Sequence, residues 1–294
     1  MTDTPLTSSG TGTGNAVYLY GVARGLDPKV LEGVTGVGGA PVRPVRAGEL
    51  TALVSTVDQG QFGEEALRVN LEDLAFLEAT ARAHHQVVDL AAHAAPTAPV
   101  RIATLYRDDA RIVEVLTRGR QQFTQVLDRV TGRSEWGVKA YAHPEAYDAP
   151  DEQPDQQPDQ PDPADQLGRP DQVAGAGEGA QGAGTAYLMR RQRQRRQRQD
   201  ASRRIAQQAE AIHAELADHA VATRHHPAQD PRLSGREGTQ ILNTAYLLDD
   251  EQVEGFTAVA RAIDQRLTGI TVEVTGPWPP YSFIDTAETT RADA

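Results

Sequence analysis

Three short runs near the start of the chain carry the residue types of β-strands and are parted by Gly and Pro: residues 16–24 (AVYLYGVAR), 39–45 (GAPVRPV) and 50–58 (LTALVSTVD). From Asn70 the period changes. Asn70 stands as a cap with Asp73 at the third helical position, and Leu71, Leu74, Ala81, Val88 and Ala92 recur on one helical face as far as about Ala95, where Pro96 and Pro99 stop the helix. A short strand over 100–106 (VRIATLY) leads to Asp108 and Asp109. These open a second helix striped by Ile112, Val115, Leu116, Phe123, Val126, Leu127 and Val130. Gly132 ends it, and 136–143 (WGVKAYAH) reads as the closing strand of this first unit.

Later in the chain the pattern resumes. Residues 184–191 (GTAYLMRR) read as a strand passing into a long helix, followed by strands over 218–226 and 240–249. Asp249 or Asp250 caps a helix bearing Val253, Phe256, Val259, Ala260, Ile263 and Leu267, and 269–278 (GITVEVTGPW) is a fourth strand. The order βαββαβ over roughly a hundred residues is that of a ferredoxin-like split βαβ fold.

Between these patterned regions lies a stretch with almost nothing to bury. Residues 145–184 hold ten acids against one base, Arg169, so most of the chain's net charge of -12 sits there. Such a composition cannot offset an ordering entropy of roughly 1–2 kcal/mol per residue. The expected organisation is α+β in two domains: a disordered tail (1–15), an N-terminal mixed α/β domain (16–144), a disordered acidic linker (145–184), a C-terminal ferredoxin-like domain (185–285) and a second tail (286–294). The first residues have neither a basic nor an apolar signal region, and no apolar run approaches the roughly 20 residues of a membrane span. A soluble protein retained in the cytoplasm is expected.

The candidate chemistry is sparse. The chain of 294 residues has no cysteine, which removes thiolate metal sites and cysteine nucleophiles, and its lysines are Lys29 and Lys139 alone. No nucleophile elbow, zincin pair or Walker lysine is present. The glycines of 175–184 and 35–41 lack the strand-turn-helix setting of a nucleotide loop. His85, Asp89 and His93 fall on one side of a helix at a spacing metals use, but no third ligand type joins them, and a partly buried face is the plainer reading. No enzyme, cofactor or metal is expected.

Two features remain. Arg190, Arg191, Arg193, Arg195, Arg196 and Arg198 crowd the start of the long helix, with Arg203 and Arg204 behind them. Stepping the later apolar stripe Ile205, Ala209, Ile212 and Leu216 backwards lands on Ser202, Arg198, Arg195 and Arg191, so this half has no apolar face. A solvated extension, a docking surface for an acidic protein and a nucleic-acid contact compete. The last is weakened because no aromatic residue is interleaved for base stacking. The other feature is 276–285 (GPWPPYSFID), where Trp278, Tyr281 and Phe283 gather among prolines. Those prolines end the strand near Thr275, and Trp278 and Phe283 are expected to pack back as a clamp, with direct partner contact the alternative.

The segments 274–285 (VTGPWPPYSFID) after 242–256 (LNTAYLLDDEQVEGF), 18–24 (YLYGVAR), 69–106 and 134–145 (SEWGVKAYAHPE) together resemble the gas vesicle protein F/L family. The resemblance covers about 17–145 and 184–285. It implies an α+β first domain, a modified ferredoxin-like second domain and no catalytic residue. It also implies a cytoplasmic accessory protein of the gas vesicle that takes part in assembly, binding the major shell protein and other accessory proteins. The alternative, from a different class, is a polyanion-binding or nucleic-acid-binding module centred on the helix from Arg190 to Arg204.

Overall fold

The computed structural model describes residues 14–70, 72–143, 179–229 and 236–284; the tails and most of the acidic stretch expected to be disordered lie outside them. Strand β1 (Asn15–Arg24) sits at the centre of the first sheet. It pairs antiparallel with β3 (Leu50–Asp58) on one side and with β4 (Thr97–Pro99) and β5 (Leu105–Tyr106) on the other, and β2 (Val42–Ala47) lies outside β3. Of the strand expected over 100–106 only Leu105–Tyr106 forms, and β4 lies before it, among the prolines read as stopping the helix. The chain turns between β4 and β5 at Ala103, whose φ of 65° is a left-handed conformation that alanine adopts at some cost.

Both faces of β1 are covered. Tyr18 and Tyr20 point into a core shared with α1 (Gln59–Phe62), α2 (Glu64–Asn70) and α3 (Leu74–Ala94), while Val17, Leu19 and Val22 point into a core shared with α4 (Asp109–Arg118) and α5 (Arg120–Val130). Period-two alternation of large side chains on a central strand therefore yields three layers. The single helix expected over 109–130 breaks at Gly119, which leaves helical ψ at 8°. Its stripe holds nonetheless: Ile112, Leu116, Phe123, Leu127 and Val130 are buried.

Helix α3 departs from expectation at both cap and face. Asp73 is its N-cap, the side chain accepting from Ala75 N–H at 2.9 Å, and Asn70 belongs to α2. The buried face is Thr80, His84, Val87, Val88 and Ala91, whereas Leu74 is 79% exposed. A polar network rotates the helix. Ala103 N–H donates to Tyr18 Oη (3.0 Å), leaving the phenol proton for His84 Nδ1 (3.0 Å). Tyr20 Oη donates to Ser55 Oγ (2.9 Å) and accepts from Val37 N–H (2.9 Å). Gly36 makes this possible, because a Cβ there would lie 1.9 Å from Tyr20 Oη. Burial pushes His84 from an ordinary 6.5 down to about 4; the Val100 backbone opposes this shift and neighbouring His85 adds to it.

The second sheet corrects the largest expectation. Strand β6 (Arg133–Ala142), read as closing the first unit, lies inside this sheet between β8 (Thr239–Asp249) and β9 (Ile270–Trp278), with β7 (Ala222–His225) beyond β8. All its pairings are antiparallel. Residues 184–191 form no strand; they belong to α6 (Gly179–Ala217), which also takes in the last residues of the expected linker. Ile205, Ile212 and Leu216 of α6 and Phe256, Ala260 and Ile263 of α7 (Val253–Arg266) pack on one face of the sheet. Asp249 does not cap α7 through its side chain, which instead binds Arg133 at 2.7 Å.

Strand β9 runs past the expected stop at Thr275 through Pro277 to Trp278, because it is an edge strand and a missing N–H on the outer side breaks no ladder. The chain then folds back over both units. Tyr281 packs on the core that holds Tyr18, Phe283 is buried against Ala245 and Leu247 of β8, and Ile284 touches the α4–α5 core. Ser282 anchors this clasp. Its N–H and Oγ each donate to the buried carboxylate of Glu135 at 2.7 Å, its carbonyl accepts from Arg224 Nη1 at 2.5 Å, and its Oγ accepts from His226 Nε2 at 3.1 Å.

Two measurements test these contacts. His84 binds its proton less readily when folded, so its contribution to stability is present above pH 6.5 and is lost as pH falls toward 4, by about 3 kcal/mol at ~1.4 kcal/mol per pH unit. His84→Gln should flatten that limb of a plot of urea midpoint against pH, and an unchanged slope refutes the assignment. In the clasp, Phe283→Ala should cost about 3–4 kcal/mol. Tyr281→Phe, which removes a buried hydroxyl without a hydrogen-bond partner, should be neutral or raise stability by up to about 1 kcal/mol in the same assay.

Candidate functional site

The clasp leaves a cleft of about 580 Å³ between the two units, walled by the end of α3, the start of β6 and the prolines after β9. Both tryptophans of the chain, Trp136 and Trp278, line it, with Pro277, Pro279 and Pro280 beside them and Pro96 opposite. Trp136 is fixed by an Nε1–H bond to Ser134 Oγ at 3.1 Å, and Trp278 meets the edge of His85 at a centroid distance of 5.4 Å. Asp89 and Asp250 are among the lining residues, Asp89 Oδ1 standing 3.6 Å from His93 Nδ1, while the guanidinium of Arg133 is already paired with Asp249. The cleft lining therefore combines two tryptophans with two acidic residues, a composition suited to a cationic group.

The expected site residues are dispersed. Trp278 is 41% exposed at the cleft, Tyr281 is half-buried with its ring against His84 and His85, and Phe283 is buried beneath Arg129 at 5.9 Å. The clamp reading, made for Trp278 and Phe283, fits Phe283, whereas Trp278 stays partly exposed at the cleft. Arg191, Arg193, Arg195, Arg196 and Arg198 are exposed on α6, and the side chain of Arg190 lies outside the described residues. The first of the described buried positions on this helix is Ala201.

The helical histidines serve as packing groups. His85 meets Trp278 edge-on and lies tilted against Tyr281, and His93 Nδ1 bonds the Asp89 carbonyl at 2.8 Å. Among the described residues no group of three potential ligands could hold a metal ion. What sequence reasoning missed is the hub of Glu135, Arg224, His226 and Ser282. Its one visible signal was an acid beside Trp136 in a strand, and burial pushes that Glu135 carboxyl up against the opposing effect of its bonds from Ser282 and the nearby charge of Arg224.

Comparisons with known proteins match this architecture along its length. The sequence profile of the gas vesicle synthesis protein GvpL/GvpF family matches residues 16–285. Gas vesicle protein L of Streptomyces sp. (strain CB03234) is 37% identical over 92% of this chain and 93% of its own length, and gas vesicle protein F of the same strain is 28% identical over 92% and 100%. Among solved structures, GvpF from Anabaena sp. PCC7120 superposes with a TM-score of 0.62 at 18% identity, covering 92% of this chain and 96% of that one. GvpF from Microcystis aeruginosa does so with 0.60 at 15%, covering 92% and 98%. These structural likenesses establish a shared mixed α/β fold with antiparallel sheets. With the profile match and the Streptomyces relatives, they place the chain in the gas vesicle synthesis protein GvpL/GvpF family, whose role is in gas vesicle formation.

Proposed function

We propose that this chain is a non-enzymatic accessory protein of gas vesicle assembly, acting in the cytoplasm and at the vesicle by binding the major shell protein and other accessory proteins. The observation that carries the reading is the family match over residues 16–285. The higher identity to the L protein than to the F protein of one Streptomyces strain, 37% against 28%, supports the L type. The order β7-β8-β6-β9, with β6-α6-β7-β8-α7-β9 along the chain, supports a ferredoxin-like second unit that borrows its first strand from before the acidic stretch.

A shell subunit with apolar surface needs an apolar contact, and the corner between α2 and α3 offers one. Val69 and Leu74 stand 62% and 79% exposed on either side of it. Side chains of this kind gain by leaving water when a partner covers them.

Co-expression with the major shell protein followed by affinity capture should retain the complex at moderate salt. The double variant Val69→Asp/Leu74→Asp should lower the retained shell protein at least fivefold while shifting stability by less than about 0.5 kcal/mol, as surface changes do. Equal capture by both proteins removes this surface from the proposal. If the wild type captures no shell protein and leaves its solubility unchanged, the binding reading itself is wrong. Capture that falls steeply with salt and follows the arginines of α6 marks a polyanion contact instead.

A further inference from the structure

The arginines of α6 and the tryptophan cleft have complementary chemistry but lie at opposite ends of the second unit. His213 Nδ1 bonds Tyr246 Oη at 3.0 Å, and Tyr246 pairs with Trp136, so this level of α6 is also the level of the cleft. After Ala217 the chain turns into β7, whose first residue pairs with Leu247, itself opposite Glu135. The helix therefore reaches the cleft end of the sheet with its C-terminus. Its buried positions, from Leu216 back to Ala201, cover the sheet toward the end where β6 finishes.

Continuing at 1.5 Å per residue, Arg198 and Arg191 stand about 22 Å and 33 Å along the helix from the level of His213. An arginine side chain, roughly 7 Å long, cannot span that distance, so these groups do not reach the cleft of their own molecule. Nor do they point at random. At 100° per residue, Arg191, Arg195 and Arg198 fall within an arc of about 60°, on the side that Ile205, Ala209 and Leu216 bury further along. The row extends the sheet-covering face into solvent beyond the sheet.

We infer that the cleft lined by Trp136, Trp278, Asp89 and Asp250 takes a guanidinium from the Arg191–Arg195–Arg198 row of a second copy of this chain, giving a head-to-tail contact. Charge complementarity carries the choice of occupant. An arginine entering a cleft lined by two tryptophans and two acidic residues gains cation–π and charge-assisted contacts, and the prolines of the lining offer no backbone donors that compete. The two surfaces are different patches of one molecule, so the contact is heterologous and each added copy presents a new free cleft and a new free row.

The test is sedimentation velocity on the full-length chain over a concentration series at low and moderate salt. Wild type should grow in mass with concentration. Arg191→Ala/Arg195→Ala/Arg198→Ala and, separately, Asp89→Asn/Asp250→Asn should each weaken association at least tenfold. Mixing the two variants should restore pairs but no longer chains, since the first keeps its cleft and the second keeps its row.

Because both tryptophans line the cleft, indole emission reports occupancy directly in dilute wild-type protein, even if a variant fails to fold. N-acetyl-arginine amide should change the emission saturably, and its neutral isostere N-acetyl-citrulline amide should not. A wild type monomeric at every concentration overturns the inference. So does association that survives the cleft variant, a mixture that forms no pairs, or equal emission changes with both amides.

Discussion

The pairing of β6 with both β8 and β9 is the constraint on which the rest of the molecule rests. Only Thr131 and Gly132 separate α5, a helix of the first unit, from this interior strand of the second sheet. Gly132 adopts φ of 66°, which a glycine takes without steric cost, and its carbonyl accepts from Asp250 N–H at 3.1 Å. With a joint of that length, the layer formed by α4 and α5 and the second sheet cannot be placed independently. The acidic stretch, which in sequence looks like the division of the chain, falls inside the second unit, between its first strand and its first helix.

The C-terminal segment closes the same joint from the other side. Tyr281 enters the core built on Tyr18 and Tyr20, Phe283 enters the face of β8, and the Glu135 carboxylate holds Ser282 between them. A buried carboxylate is costly unless its lone pairs are met, and here Ser282 supplies two donors while the charge of Arg224 nearby favours the ionised form. The cleft follows from this closure: the prolines and Trp278 bridge from β9 toward the end of α3 without filling the space beneath.

Family membership gives the role in gas vesicle formation. The apolar corner at Val69 and Leu74, the arginine half of α6 and the tryptophan cleft have three different chemistries at three different places.

The sequence by itself determined the elements with the clearest patterns. Runs of strand-type residues predicted β1, β3, β8 and β9, and the stripes of α4–α5 and α7 predicted their buried faces, because burial selects apolar side chains at the period of the local structure. It also marked the closing motif as a clamp and showed that the arginines had no apolar face to bury. Tertiary structure alone decided the sheet to which β6 belongs, since its alternation serves any antiparallel neighbour equally well. It decided the face of α3, where a histidine turned inward to meet Tyr18 and left Leu74 in water. It brought Glu135 to Ser282 across 147 residues of separation and both tryptophans to one cleft, because such contacts depend on how the units close and leave no local period to read.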